Sequence, residues 1–183
     1  MFGKFIFQKR ETVFHYVADE GNVDVVKQIL KGLHSGQIQL AVNKQSSSGW
    51  SPLIIASHKG HLDIVKVCYF LLFITFSWNQ SLREYAENTT YDFFNSKVFL
   101  ENNGRVDVFD NEGKSALHLA SEAGSLDVCE ALLNKGAYVN SKTKTGWTSL
   151  HYAAMKGYTN LVEFLIKKHN ATIDSLTMVR LLI

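Results

Sequence analysis

The sequence predicts an all-α solenoid of about four stacked helix–turn–helix repeats, with a 31-residue insert in the second. Three observations predict it. The chain aligns on itself at a shift of 33 residues, Asn111-Glu112-Gly113-Lys114-Ser115-Ala116-Leu117-His118-Leu119-Ala120 lying over Lys144-Thr145-Gly146-Trp147-Thr148-Ser149-Leu150-His151-Tyr152-Ala153. Gly124 and Gly157 keep that shift. The same core recurs upstream, as Thr12-Val13-Phe14-His15-Tyr16-Val17-Ala18 closing on Gly21 and as Ser51-Pro52-Leu53-Ile54-Ile55-Ala56 closing on Gly60.

The third repeat shows why such a unit forms two helices. Gly113 opens a tight turn, the Ser115 hydroxyl can cap the first helix, and Leu117, Leu119 and Ala120 give that helix its buried face. Gly124 ends it, because a residue without Cβ takes positive φ freely. Leu126, Val128, Cys129, Leu132 and Leu133 then recur at helical spacing on the second helix, which Gly136 ends. One repeat cannot bury both faces, so stability comes from stacking on neighbours.

On this reading the repeats occupy 8–177, approximately 8–45, 46–109, 110–142 and 143–174, with tails at 1–7 and 178–183. Two spacings depart from the period. Gly21 to Gly60 is 39 residues, and the six extra residues fall around Gly32 to Gln39, where they read as a loop insertion. Gly60 to Gly124 is 64 residues, and deleting 67–97 restores the period. Across that deletion His61-Leu62-Asp63-Ile64-Val65-Lys66 runs into Val98-Phe99-Leu100-Glu101-Asn102-Asn103-Gly104, one second helix with its terminal glycine.

The insert therefore falls inside a helix, whereas insertions in repeat proteins normally fall in loops. Lys-Val stands at both junctions, Lys66-Val67 and Lys97-Val98, and Val67-Cys68 is codable as a splice donor, as is Val179-Arg180 in the tail. A translated intron and a lineage-specific insertion both account for the block. Either Val67-Cys68-Tyr69 or Val98-Phe99-Leu100 can complete the helix; the Phe-rich start of the insert is expected to extend it and Asn79 to Lys97 to be poorly ordered.

A 33-residue period with a T-P-L-H-x-A-like core resembles the ankyrin repeat. Further runs resemble the ankyrin array of the TRPN channels, the no-mechanoreceptor-potential-C class of transient receptor potential channels. These are Gln8 to Ala18, Asn43-Lys44-Gln45-Ser46-Ser47 with Gly49 to Ala56, Arg105-Val106-Asp107-Val108-Phe109-Asp110, Asn140-Ser141-Lys142, and Phe164 to Ala171 with Ile173-Asp174. That resemblance implies a cytoplasmic helical spring anchored to the cytoskeleton and pulling on a mechanically gated cation channel. The residues here include no pore helices and few of that family's repeats, so it implies a fragment of the tether. It also implies that His15, His118 and His151, at the T-P-L-H position, hydrogen-bond the neighbouring turn backbone.

Composition narrows the chemistry. In 183 residues, 19 Lys+Arg against 17 Asp+Glu leave no basic stripe, so nucleic acid is not an expected partner. Val67 to Trp78, twelve residues, is the longest apolar run and falls short of the roughly 20 that span a bilayer. No export signal opens the chain, and two cysteines, Cys68 and Cys129, fit a reducing compartment rather than a disulfide framework. His58-Lys59-Gly60-His61 has ligand-like spacing, but Gly60 breaks the helix and no acid or Cys adjoins it, so no metal or cofactor is expected. Cys129 sits among helix-two apolar positions as a small core residue, and no nucleophilic, paired-carboxylate or phosphate-cradling constellation stands out, so no enzyme activity is expected.

Protein binding is then the expected function, through the concave face formed by turn tips and first helices. The tips Ser47 to Ser51, Asp110 to Ser115 and Lys144 to Thr148 carry the candidate contact residues Trp50, Lys114, Lys144 and Trp147. Packing between adjacent turns is the alternative role for the two tryptophans.

Overall fold

The computed structural model describes residues 12–32, 35–76, 106 and 108–173. Its helices are α1 Val13–Glu20, α2 Val23–Gly32, α3 Ser35–Val42, α4 Pro52–Lys59, α5 Leu62–Phe76, α6 Ala116–Ala123, α7 Leu126–Asn134, α8 Ser149–Met155 and α9 Thr159–His169. The first helices α1, α4, α6 and α8 stack on one another in chain order, and α2, α5, α7 and α9 back them.

The stacking follows from repeat-matched residue types. Phe14, Leu53, Leu117 and Leu150 take one buried position in successive first helices, and Val17, Ala56, Ala120 and Ala153 another. Three alanines in the latter row let neighbouring backbones approach, which converts sequence period into close packing. Three of the four turns into a first helix are closed alike, and in α4, which has Ile54 at the histidine position, Ser51 Oγ alone accepts from the Ile54 N–H at 3.4 Å. In α6, Ser115 Oγ accepts from the His118 N–H at 3.4 Å while His118 Nδ1 accepts from the Ser115 N–H at 3.0 Å. His15 and His151 do the same for the N–H groups of Thr12 and Thr148, at 3.0 and 3.1 Å. Gly21, Gly60 and Gly124 end the first helices with φ of 73–74°.

α5 is 15 residues long against nine in α7, and it passes through Lys66–Val67 without a break. The opening of the insert thus extends the second helix, and Val67, Cys68, Tyr69 and Leu71 enter the core. Cys68 stands where Leu132 stands one repeat later. The expectations for Asn79 to Lys97, for Val98 to Leu100 and for the two tails lie outside the described residues. One expectation is corrected: the lengthened stretch around Gly32 to Gln39, read as a loop, carries the helix α3, which packs against α5 and α1.

The insert fits imperfectly. The Tyr69 hydroxyl is buried and finds no hydrogen-bond partner among the described residues, and burial first, then the neighbouring Cys68 and Cys129, pushes its pKa well above the ordinary tyrosine value. A stranded polar group costs its desolvation without return. Tyr69→Phe is therefore expected to raise unfolding stability by about 1 kcal/mol, read as a higher urea midpoint with unchanged slope. A lower midpoint would mean that the hydroxyl is satisfied in solution.

Candidate protein-interaction surface

The turn tips repeat one local device. A short polar side chain six residues before the start of the first helix takes the N–H of the residue four ahead: Ser46 Oγ from Trp50 at 3.2 Å, Asp110 Oδ1 from Lys114 at 2.8 Å, Thr143 Oγ1 from Trp147 at 3.1 Å. Its own N–H donates to the carbonyl of that residue, at 2.9 Å in all three turns. Each tip is thereby closed on itself, and tips join across repeats. The Asn111 N–H donates to the Ser48 carbonyl at 3.2 Å, and the Lys144 N–H to the Glu112 carbonyl at 3.0 Å.

This frame places the four candidate residues differently. Trp50 is half-buried; its Nε1–H donates to Asp110 Oδ2 at 3.2 Å and its ring meets His58 edge-on at 5.3 Å. It joins the second turn to the third. Trp147, also half-buried, lies 5.2 Å from the Tyr152 ring and 5.9 Å from His151. Lys114 lies between Glu112 and Glu122, with Nζ at 3.2 and 3.6 Å from their carboxylates and 5.4 Å above the Tyr152 ring. Burial pulls the Lys114 pKa down, but the Glu112 hydrogen bond and the surrounding negative groups outweigh it and leave it above the usual value. Lys144 is exposed, and beside Lys114 it lines a cavity of about 200 Å³ with Asn111, Glu112, Thr143, Thr145 and Tyr152.

The structure therefore brings Lys114, Lys144 and Trp147 to one seam between the third and fourth turns, and sets Trp50 one turn away. Sequence reading missed Asp110, Glu122 and Tyr152. Asp110 was legible as the register partner of Ser46 and Thr143; Tyr152 and Glu122 take meaning only from the contact between turns.

The remaining chemistry is spent on structure. His61 Nε2 pairs with the Asp19 carbonyl at 3.1 Å, and His118 Nε2 with the Ser141 carbonyl at 2.9 Å. Burial pushes the thiols of Cys68 and Cys129 up to about 12, which keeps them protonated and unreactive at neutral pH. Among the described residues no three His, Cys, Asp or Glu side chains are grouped to hold a metal, and no helix is long and apolar enough to cross a membrane.

Comparison with known proteins agrees with this geometry. The family profile described as "Ankyrin repeats (3 copies)" matches residues 3–71 and 85–177. The chain belongs to the ankyrin-repeat family. These repeats form a protein-binding module. The ankyrin-repeat chain is 33% identical over 135 residues to the probable 26S proteasome regulatory subunit p28 of Saccharomyces cerevisiae, covering 69% of this chain and 58% of that protein. It is 33% identical over 89 residues to the human Notch-regulated ankyrin repeat-containing protein, covering 49% of this chain and 69% of the relative. It is 26% identical over 166 residues to a transient receptor potential cation channel subfamily A member 1 homolog of Caenorhabditis elegans, covering 90% of this chain and 13% of the channel. The chain thus spans little more than half the length of the yeast relative and a small part of the channel.

Proposed function

We propose that this ankyrin-repeat module is a non-catalytic, cytoplasmic piece of the tether of a TRPN-type mechanically gated cation channel, joining channel segments to the cytoskeleton. The observation that carries the reading is the breadth of the channel likeness: 90% of this chain aligns with 13% of a transient receptor potential channel. Such proportions suit one stretch of a long repeat array. Sequencing the mature transcript across codons 66 to 98 and past codon 178 tests it. A frame that runs on into further repeats and a channel domain supports the tether; a stop after codon 183 overturns it.

A second reading is a free-standing cytosolic adaptor, favoured by the larger shares of the yeast and human relatives that the chain covers, 58% and 69%. Both readings place the protein partner on the concave face at the seam of the third and fourth turns. The Lys144 side chain is exposed, so Lys144→Glu is expected to leave folding intact. For cytoskeletal filaments offered as the probe in a sedimentation assay, we expect Lys144→Glu to weaken pelleting of this chain by about tenfold, roughly 1.4 kcal/mol. Unchanged pelleting would remove that seam from the contact.

A further inference from the structure

We infer that the two departures from the 33-residue period are a single structural addition: α3 is the cover of the part of α5 that the insert supplies. This inference is independent of the partner and of the tether reading. It begins from composition. The first part of α5, Leu62 to Lys66, still carries a solvent face, with Asp63 exposed and paired at 3.7 Å to the half-exposed Lys66. From Val67 to Phe76 the helix reads Val-Cys-Tyr-Phe-Leu-Leu-Phe-Ile-Thr-Phe, ten residues without a charge. A helix apolar all round has to be packed on more than one side.

The length of α5 sharpens the requirement. In the register of α7, whose last residue Asn134 corresponds to Phe70, the second helix would end at Phe70. The six residues from Leu71 to Phe76 carry it roughly 9 Å further, past the reach of a neighbour of ordinary length. The regular stack supplies α4 and α7 as neighbours of α5, and among the described residues α3 also packs against it.

α3 is itself an addition, the product of the six extra residues between the first and second repeats. It is tied at its C-terminal end, where the Thr12 hydroxyl donates to the Ala41 carbonyl at 3.1 Å, and Val42 is buried in the core while Leu40 points to solvent at 75% exposure. Its seat is thus fixed by α1 and its packing partner is α5. A lengthening in one repeat meets an insertion in the next, and the insert's helical opening is built into the stack.

Hydrogen exchange resolved by mass spectrometry tests this on the full chain and on a chain lacking residues 34–39. The expected result is about tenfold faster exchange of the 67–76 amides, with those of 149–155 unchanged. Equal rates at 67–76, or the same acceleration at 149–155, would overturn the proposal. If the shortened chain does not fold, Val42→Ala serves instead: it trims one buried side chain of α3 and is expected to give the same selective loss of protection. A uniform change, or none, counts against the inference.

Discussion

His118→Ala is expected to cost about 4 kcal/mol of unfolding stability, a large effect for one residue. The imidazole is fully buried and bonded at both nitrogens. A backbone N–H can only donate, so Nδ1, which receives the Ser115 N–H, carries no proton; a carbonyl can only accept, so Nε2–H donates to Ser141. One neutral tautomer thereby closes its own turn and reaches the next. Alanine strands both backbone groups at about 1–3 kcal/mol each and leaves a cavity between repeats. Thermal or urea unfolding measures the loss; a cost below about 1 kcal/mol would mean that water replaces the ring.

The same geometry sets a pH dependence. Burial, the largest cause, holds the His118 pKa below the ordinary value of 6.5, against the opposing pull of its backbone hydrogen bonds. The folded state then binds fewer protons than the unfolded state as pH falls below about 6.5. The contribution of His118 is complete above the unfolded pKa, declines as pH drops toward the folded value, and is spent below it. Stability measured against pH should therefore fall on the acid side of about 6.5, and His118→Ala should flatten that limb while lowering the whole curve. An unaltered limb would assign the titration to other groups.

What could be read from the sequence was what the period repeats. Ser115, His118, Ala120 and Gly124 each recur at fixed offsets, so their cap, bond, contact and turn were legible before any coordinates. α3 was not, for a physical reason. Ser35-Gly36-Gln37-Ile38-Gln39 lacks an apolar stripe and contains a glycine, and a helix of eight residues gains most of its stability from what it packs on. That support is α5, whose length depends on the insert. The interaction seam was legible in part: turn spacing located Lys114, Lys144 and Trp147, but the bond from Trp50 to Asp110 spans 60 residues and crosses the insert.

Gly49→Ala is expected to be nearly as damaging as the loss of His118, about 3 kcal/mol, although it only adds a methyl group. Gly49 sits at φ +83°, where an L side chain costs roughly 1–2 kcal/mol by itself. A Cβ there would lie 2.5 Å from the Asn111 backbone nitrogen and equally close to Asn111 Oδ1. Backbone cannot step aside as a long side chain can, so the second and third turns must separate. With them would go the bonds that Asn111 makes to the carbonyls of Ser48 and Ser47, at 3.2 and 3.0 Å. Gly157→Ala is the control, since Gly157 has φ +75° but, among the described residues, nothing within 4 Å of the added carbon. Its cost should be the backbone strain alone, about 1 kcal/mol. The difference between the two variants in urea unfolding then measures the contact between turns, and equal costs would show that the tips are not tightly joined in solution.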